Sequence, residues 1–309
     1  MKKIIAILLI LTVGLTLIAC GGKESADMNN ATSSIDQSKC KHDWKEADCT
    51  NPETCKICAL ESGKPLGHEY YEGVCLKCGA ELPEEEKPNL GNVIIMGDSI
   101  STFEGSSYEL GQFWYKFGGR DDNMTDVFDV SQCWWDILIS NSNARLLRNQ
   151  SCSGSTFVEA KFKGGEFEKA YNSFWDRLNR YMLQTNFFEG KTVDTVIFFG
   201  GTNDNNQCAL GEVKYEGWTD EDLKYFAPAY AHYIYQLKQI CPDAKLVSIV
   251  DTTLAQVSDT MLEINEHYGV QSVVMHGFDE IAPHPTIKGM REIESVLREA
   301  LIMGADQKG

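Results

Sequence analysis

The chain is poor in positive charge, with 28 Lys and Arg residues against 45 Asp and Glu residues in a length of 309. The formal net charge of −17 repels phosphate backbones, so nucleic acid is not expected as a partner. Polyanionic substrates are disfavoured for the same reason. The acidity also fits a protein that simply stays soluble outside the cell.

The first apolar run is too short to span a bilayer comfortably. It extends from Ile4 to Ala19, follows two lysines and has no basic flank behind it, which is typical of a targeting signal. The run ends in Leu-Ile-Ala-Cys-Gly at 17–21, which resembles the bacterial lipobox. The resemblance implies cleavage after residues 1–19, a lipid on the Cys20 thiol and an extracytoplasmic protein anchored to the outer face of the membrane. An ordinary secretory peptide or an uncleaved anchor is the alternative.

Two polar stretches divide the rest of the chain. Residues 20–38 are rich in Ser, Asn and Asp and nearly devoid of large apolar side chains, which predicts a flexible tether. Residues 82–90 contain three consecutive glutamates between Pro83 and Pro88, which predicts a stiff linker. The expected folded parts are therefore a small module at 39–81 and a main domain at 91–305.

The small module holds six of the eleven cysteines. Two Cys-x2-Cys pairs, separated by sixteen residues, match a four-thiolate zinc ribbon; their members are Cys55, Cys58, Cys75 and Cys78. A weak repeat places one histidine seven residues before Cys49 and another seven before Cys75. The repeat predicts a second zinc site formed by Cys40, His42, Cys49 and His68.

Three disulfides are the alternative for this module, because the oxidising exterior permits them and the number of cysteines is even. The short pairs fit a tetrahedral metal site better, and four protein ligands would make the zinc structural rather than catalytic. The module resembles the short Cys/His repeats attached to surface proteins of anaerobic bacteria, which implies a protein or cell-surface partner.

In the main domain, short apolar runs alternate with amphipathic stretches. Strands are predicted at 93–96, 145–149, 193–199, 246–250 and 270–275, and helices at 133–140, 174–183, 222–240, 259–268 and 285–303. Apolar runs without polar alternation indicate strands covered on both faces. The order predicts a three-layer α/β/α sandwich with a parallel sheet, whose ligands bind beyond the carboxyl ends of the strands.

Residues suited to acyl transfer follow these strands. Ser99 comes after the first strand, Gly154 after the second and Asn203 after the third, and His284 lies near the last helix. A serine becomes nucleophilic when a base such as His284 removes its proton. The oxyanion of the intermediate needs fixed donors, which the backbone N–H groups of Ser99 and Gly154 and the Asn203 amide can supply.

Four blocks, in this order, resemble the SGNH/GDSL hydrolase family: Gly97-Asp98-Ser99, Gly154, Gly201-Thr202-Asn203-Asp204 and His284-Pro285. The resemblance covers about residues 89–303 and implies a flavodoxin-like fold and ester hydrolysis without a metal or organic cofactor. The Gly-x-Ser-x-Gly elbow of the α/β-hydrolases is absent, which argues against that rival.

One position departs from the family pattern. The aspartate expected three residues before the histidine is Ile281 here. Asp279 is the preferred candidate to hold the imidazole, and the alternative is a Ser99–His284 dyad with a backbone carbonyl orienting the ring. Cys152 and Cys208, in two of the site loops, are either a disulfide or two free thiols.

The sequence thus predicts a lipid-anchored serine esterase, with short acyl groups on carbohydrate as the favoured substrate. Aromatic residues at 113–115 and 134–135 either stack on sugar rings or fill the core. A lysophospholipase or thioesterase of the same fold is the enzymatic alternative. A non-catalytic surface binding protein is the alternative from another class, favoured only by Ile281.

Overall fold

The structure is a computed structural model that describes residues 37–106, 112–120, 124–163, 166–169, 172–184, 187–188 and 190–306. The predicted targeting signal, Cys20 and almost all of the predicted tether lie outside these residues. The chain divides into two compact units, one ending at Pro65 and the other beginning at Leu66. None of the helices in the described ranges is both long and apolar enough to cross a membrane.

The strands are short in the N-terminal region and longer in the main domain. They are β1 (Trp44–Lys45), β2 (Glu53–Cys55), β3 (Glu61–Ser62), β4 (Tyr70–Tyr71), β5 (Val74–Cys75), β6 (Asn89–Gly97), β7 (Asn143–Asn149), β8 (Ala160–Lys163), β9 (Glu166–Lys169), β10 (Thr195–Phe199), β11 (Lys245–Asp251), β12 (Gln271–Met275), β13 (Glu280–Ile281) and β14 (His284–Pro285).

The α-helices are α1 (Trp134–Ser140), α2 (Phe174–Arg177), α3 (Thr202–Gln207), α4 (Phe226–Ile240), α5 (Ser258–Tyr268) and α6 (Ile287–Asp306). Helix α2 continues as a π-helix over Leu178–Leu183, and single 3-10 turns lie at Gln37–Lys39, Glu84–Glu86, Ser99–Ser101, Val130–Gln132 and Asp222–Lys224. The predicted helix at 222–240 is thus broken at Tyr225, which has an extended backbone.

Five parallel strands form the central sheet in the order β12-β11-β10-β6-β7. Alternate side chains of β6 enter two different cores: Ile94 and Met96 pack on one face, and Val93 and Ile95 on the other. Residues of α4 and α5 belong to the first core, and residues of α1 and α6 to the second. The predicted three-layer α/β/α sandwich with a parallel sheet is confirmed.

The Cys/His repeat is present, but in a different register from the predicted one. Trp44 pairs with Cys55 across β1 and β2, and Tyr70 pairs with Cys75 across β4 and β5, so Cys55 rather than Cys49 corresponds to Cys75. Each hairpin also stacks a histidine on the aromatic residue two positions later, with ring centroids 4.9 and 5.3 Å apart. The loop at 46–52 makes the first repeat longer than the second, whose strands are joined by two residues.

The β4–β5 hairpin belongs to the second unit and packs on the main domain. Tyr71 donates to Asp136 of α1 at 3.0 Å, and Glu69 pairs with Arg291 of α6. Asn141, fully buried after α1, accepts from the Gly73 N–H and donates to the Tyr70 carbonyl. The unit boundary therefore lies inside the predicted module at 39–81.

The expected stiff linker at 82–90 is also held by the main domain. Leu82 is 3% exposed, Glu84 accepts a hydrogen bond from Asn143, and β6 already begins at Asn89. This segment is continuous with the fold of the second unit.

Replacing Asn141 with alanine should lower the free energy of unfolding by about 2–4 kcal/mol, because the change leaves backbone groups of the hairpin without buried partners. The exposed Asn143, which makes one side-chain hydrogen bond to Glu84, is the matched control, and Asn143→Ala should cost less than about 0.5 kcal/mol. Urea unfolding measures both. Equal effects would contradict the assigned role of Asn141.

Candidate active site

Ser99 begins a 3-10 turn one residue after β6, an inner strand of the central sheet. The Asp98 side chain caps this turn by accepting from the Ile100 N–H at 3.0 Å. The chain passes so close to itself here that a Cβ at Gly97 would lie 2.5 Å from the Ser101 side chain. Glycine is therefore needed before the turn, which sets Ser99 at the carboxyl edge of the sheet, 7% exposed.

His284 meets Ser99 at that edge. Its Nε2 lies 2.9 Å from the Ser99 Oγ, and its Nδ1 lies 2.8 Å from the Ala282 carbonyl oxygen. A carbonyl can only accept, so Nδ1 carries the proton and donates it to Ala282. Nε2 is then left as the acceptor for the Ser99 hydroxyl, which is the arrangement that general-base catalysis requires.

Three influences act on the pKa of His284. Burial lowers this pKa most, the hydrogen bond to the Ala282 carbonyl raises it, and the positive charge of Arg120 lowers it further. The net shift is downward from the ordinary histidine value. The imidazole is thus kept neutral, and able to accept a proton, to a lower pH than a free histidine.

Asp279 does not fill the place predicted for it. Its carboxylate accepts from the Thr286 hydroxyl and pairs with Lys288, both of which lie near the start of α6. The Nδ1 position of His284 is taken by Ala282 instead, because a tight turn joins β13 to β14 and pairs Ile281 with His284. The geometry is that of the alternative dyad oriented by a backbone carbonyl.

Gly154 and Asn203 lie in segments that meet, because Asn203 bonds to the residue after Gly154. Gly154 has a left-handed backbone with φ +76°, which favours glycine, and nothing lies within 4 Å of where a Cβ would stand. The Asn203 side chain donates one amide hydrogen to the carbonyl of Ser155 at 2.9 Å. An amide group carries two hydrogens, so this bond orients Asn203 while leaving the second hydrogen for another acceptor.

Asp204 ties the Asn203 segment to the Gly154 loop. Its fully buried carboxylate accepts from the N–H groups of Phe157 and Val158, and burial raises its pKa to about 7. Burial likewise raises the pKa of Asp98 to about 6. Both carboxylates hold loops through backbone N–H groups rather than face the Ser99 hydroxyl.

Arg177 is a structural residue of this region that sequence reasoning missed. Its fully buried guanidinium donates to the carbonyls of Gly97 and Asn172 and to the Ser155 hydroxyl. It thereby joins the turn before Ser99 to the loop after Gly154. The sequence shows it only as one polar residue within an amphipathic helix, which carries no signal of this role.

The aromatic residues near the site divide between the two predicted roles. Tyr115, Trp134 and Trp135 are at most 2% exposed and fill the core. Trp114 is half-buried, and its indole stacks on the His284 imidazole. Cys152 and Cys208 form no disulfide, so the structure has the thiol alternative for this pair.

The sequence model of the GDSL-like Lipase/Acylhydrolase family matches residues 91–301. This match covers more than half of the chain. The chain belongs to the GDSL-like lipase/acylhydrolase family. It is accordingly an ester-hydrolysing enzyme, as predicted.

Solved structures of other GDSL-like proteins resemble it as well. A protein described as a GDSL-like lipase from Bacteroides ovatus is 31% identical, with a TM-score of 0.61 over 68% of this chain and 97% of its own. Another from Bacteroides uniformis is 33% identical, with a TM-score of 0.59 over 69% and 95% of the two chains. No curated protein matches the chain.

Ahead of the GDSL domain, the predicted metal ligands are grouped differently from the expectation. In the first unit, the ligand atoms of one set lie within 4.8 Å of one another; the set is Cys40, His42, Cys55 and Cys58. In the second unit, His68 groups with Cys75 and Cys78. The expected ribbon of four cysteines is therefore replaced by sets that combine each Cys-x2-Cys pair with the histidine of its own hairpin.

The two sets share their local geometry. The histidine Nδ1 lies 3.4 Å from the second cysteine sulfur in both, between His42 and Cys58 and between His68 and Cys78. The Cys40 and Cys55 sulfurs are 3.8 Å apart, and no disulfide is formed. Sulfurs bound to one tetrahedral zinc are separated by about 3.8 Å, so the first set fits the metal. Cys49 is buried in the first unit and stays a predicted ligand.

Asp279→Asn should reduce kcat by less than about tenfold, because the Asp279 carboxylate does not contact His284. Loss of a carboxylate that orients a catalytic histidine costs about 10⁴-fold. Steady-state hydrolysis of p-nitrophenyl acetate measures the difference, with Ser99→Ala as the inactive reference. A loss of 10³-fold or more would restore Asp279 as the third member of a triad.

The value of kcat/KM for a neutral ester should rise with pH through an apparent pKa below that of ordinary histidine, about 6.5. Neutral imidazole is the active form, and burial and Arg120 hold the pKa of His284 down. A profile of kcat/KM from pH 4 to 9 measures this apparent pKa. Substitution of the exposed His267 by Gln should leave the apparent pKa unchanged. An acid limb above the ordinary value would contradict the assignment of His284.

Proposed function

We propose that this enzyme is an extracytoplasmic, lipid-anchored serine esterase that removes short acyl groups from carbohydrate through an acyl-enzyme on Ser99. The observation that carries the proposal is the His284 Nε2 at 2.9 Å from the Ser99 Oγ, with Nδ1 donating to Ala282. The pairing supplies a nucleophile and a base of the right tautomer, so the reaction needs no metal or organic cofactor.

The first half of the reaction forms the acyl-enzyme. The Ser99 oxygen attacks the ester carbonyl carbon while its proton moves to Nε2 of His284. The negative oxygen of the tetrahedral intermediate accepts from the Ser99 and Gly154 N–H groups and from the second hydrogen of the Asn203 amide. Each donor of this kind contributes about 10²–10³-fold in rate. His284 then gives its proton to the departing alcohol.

Water completes the cycle. His284 removes a proton from a water molecule as that water attacks the acyl carbon, and the same three donors hold the second oxyanion. Collapse of this intermediate returns the proton to Ser99 and releases the carboxylic acid. During both halves the imidazolium is held by the Ala282 carbonyl, which carries only a partial negative charge, in the place of a carboxylate.

A carbohydrate substrate is supported by the aromatic surface near the dyad. Phe117, three residues beyond the tryptophan that stacks on His284, is 59% exposed. Exposed aromatic faces of this kind pack against the apolar faces of sugar rings. The acidic net charge of the chain favours a neutral sugar over a polyanionic one.

The wild-type enzyme should hydrolyse p-nitrophenyl acetate and react with a fluorophosphonate probe, and Ser99→Ala should abolish both. Ser153→Ala, on the same rim, is the matched control and should keep most of the activity. Acetylated oligosaccharides and p-nitrophenyl esters of increasing length then define the substrate, with rates falling as the acyl chain lengthens. After cell fractionation, the esterase activity of the wild type should be found in the membrane fraction. The activity of Cys20→Ala should be absent from that fraction.

A wild-type protein that neither hydrolyses esters nor reacts with the probe would support a binding protein of this fold. Preference for long acyl chains or thioesters would instead replace the carbohydrate substrate by a lipid or acyl thioester.

The Cys/His sets ahead of the GDSL domain are proposed as structural zinc sites. The Ile57 N–H donates to the Cys55 sulfur at 3.4 Å, a bond that stabilises the thiolate form. Each pair of thiolates and its histidine are provided by one hairpin, so metal binding contributes directly to folding of that hairpin. Four protein ligands leave no open position for water, so a zinc held by the first set is structural. We propose that these hairpins also face a cell-surface partner.

Zinc measured by elemental analysis should be present in the purified protein and should fall by about one equivalent in Cys58→Ser. Cys241→Ser, which alters a buried cysteine of the main domain, should leave the zinc content unchanged. A protein without zinc, and without titratable thiols under denaturing conditions, would favour disulfides.

A further inference from the structure

His284 has less to hold it than the histidine of a complete triad. Its Nδ1 makes one hydrogen bond, to a carbonyl only two residues earlier in the chain. The torsion that turns a histidine ring about its Cβ–Cγ bond has a broad minimum, so one hydrogen bond does not fix the plane of the ring. Some other contact must keep Nε2 directed at the Ser99 hydroxyl.

Trp114 provides a contact of the required geometry. Its ring centroid lies 3.6 Å from that of His284, and the two planes are inclined by 4°. A flat, nearly parallel contact at this distance blocks rotation of the imidazole in either direction, since a turned ring would collide with the indole. The electron-rich indole face also favours the imidazolium that forms during the reaction.

The Trp114 backbone is in turn tied to the nucleophile. The Trp114 N–H donates to the Thr102 hydroxyl at 2.8 Å, and that hydroxyl donates to the Ser99 carbonyl at 2.8 Å. Thr102 is fully buried, so water does not compete for these bonds. Ser99, Thr102, Trp114 and His284 therefore form a closed circuit of contacts in which nucleophile and base share one support.

Neighbouring residues brace the same support. The Arg120 guanidinium lies 4.2 Å from the Trp114 ring centroid, and its Nη1 lies 3.5 Å from the Trp114 carbonyl oxygen. Tyr115 donates its hydroxyl hydrogen to the Pro285 carbonyl at 3.1 Å, next to His284. The Trp114 segment is thus attached to both sides of the dyad.

We propose that Trp114 is a positioning residue for the catalytic base. Its indole is anchored through Thr102 to the Ser99 turn and fixes the imidazole plane of His284. In a complete triad a carboxylate performs this task. This inference rests on the proposed function. The residue acts through His284, so its loss should slow the chemical step more than it weakens substrate binding.

The test compares Trp114→Leu and Trp114→Phe with Trp218→Leu, a half-buried tryptophan of another segment. Trp114→Leu should lower kcat for p-nitrophenyl acetate by about 10–100-fold, since small misplacements of a catalytic group have effects of this size. KM should change by less than about threefold, and fluorophosphonate labelling should slow in parallel with kcat. Trp114→Phe, which keeps a flat ring, should recover most of the rate, and Trp218→Leu should stay near wild type.

The anchor is tested separately through Thr102. Thr102→Val removes the hydroxyl at nearly constant volume and should reduce kcat. Thr102→Ser keeps the hydroxyl and should keep the wild-type kcat. If Trp114→Leu does not fold, as judged by circular dichroism, the outcome is decided by Trp114→Phe and the two Thr102 variants.

An unchanged kcat in Trp114→Leu would overturn the inference, and so would a raised KM with kcat preserved, which would make Trp114 a substrate contact. Equal kcat values in Thr102→Val and Thr102→Ser would overturn the anchor. A wild-type protein without esterase activity would instead be a failure of the proposed function itself.

Discussion

Parallel pairing of β6 with both β7 and β10 is the constraint on which the site depends. Three neighbouring parallel strands end at one edge, so the turns after Gly97, Asn149 and Phe199 have to share a small volume. Buried groups then connect those turns: Arg177 joins the first to the second, and Asp204 joins the second to the third. A histidine at the same edge completes the site, and the β13–β14 hairpin provides His284 there.

Replacement of a carboxylate by a carbonyl changes how this site can work. An ionised aspartate orients a histidine and also stabilises the positive charge of its imidazolium form. The Ala282 carbonyl orients His284 but has only a partial negative charge to offer. Burial lowers the pKa of His284, and among the described residues the hydrogen bond to the Ala282 carbonyl opposes this shift in the place of a carboxylate. The base is consequently weaker than the histidine of a complete triad and stays neutral to a lower pH than a free histidine.

Most of the architecture could be predicted because apolar runs and strand-end motifs are local signals. Ser99, Gly154, Asn203 and His284 were identified this way, and the structure brings them to one edge. Other features depend on information that spacing does not carry. The role given to Asp279 was wrong because a two-residue turn, not distance along the chain, decides which group faces the imidazole. The metal ligands were grouped wrongly because the longer loop at 46–52 shifts the repeat.

Attachment of the β4–β5 hairpin to α1 and α6 limits how this protein can evolve by domain recombination. Arg298 of α6 lies beneath Tyr70 and pairs with the buried Glu294, so the hairpin shields an ion pair that belongs to the catalytic body. Recombination that moved the enzyme without its second hairpin would expose this pair to water. The second hairpin and the catalytic body should therefore be inherited together.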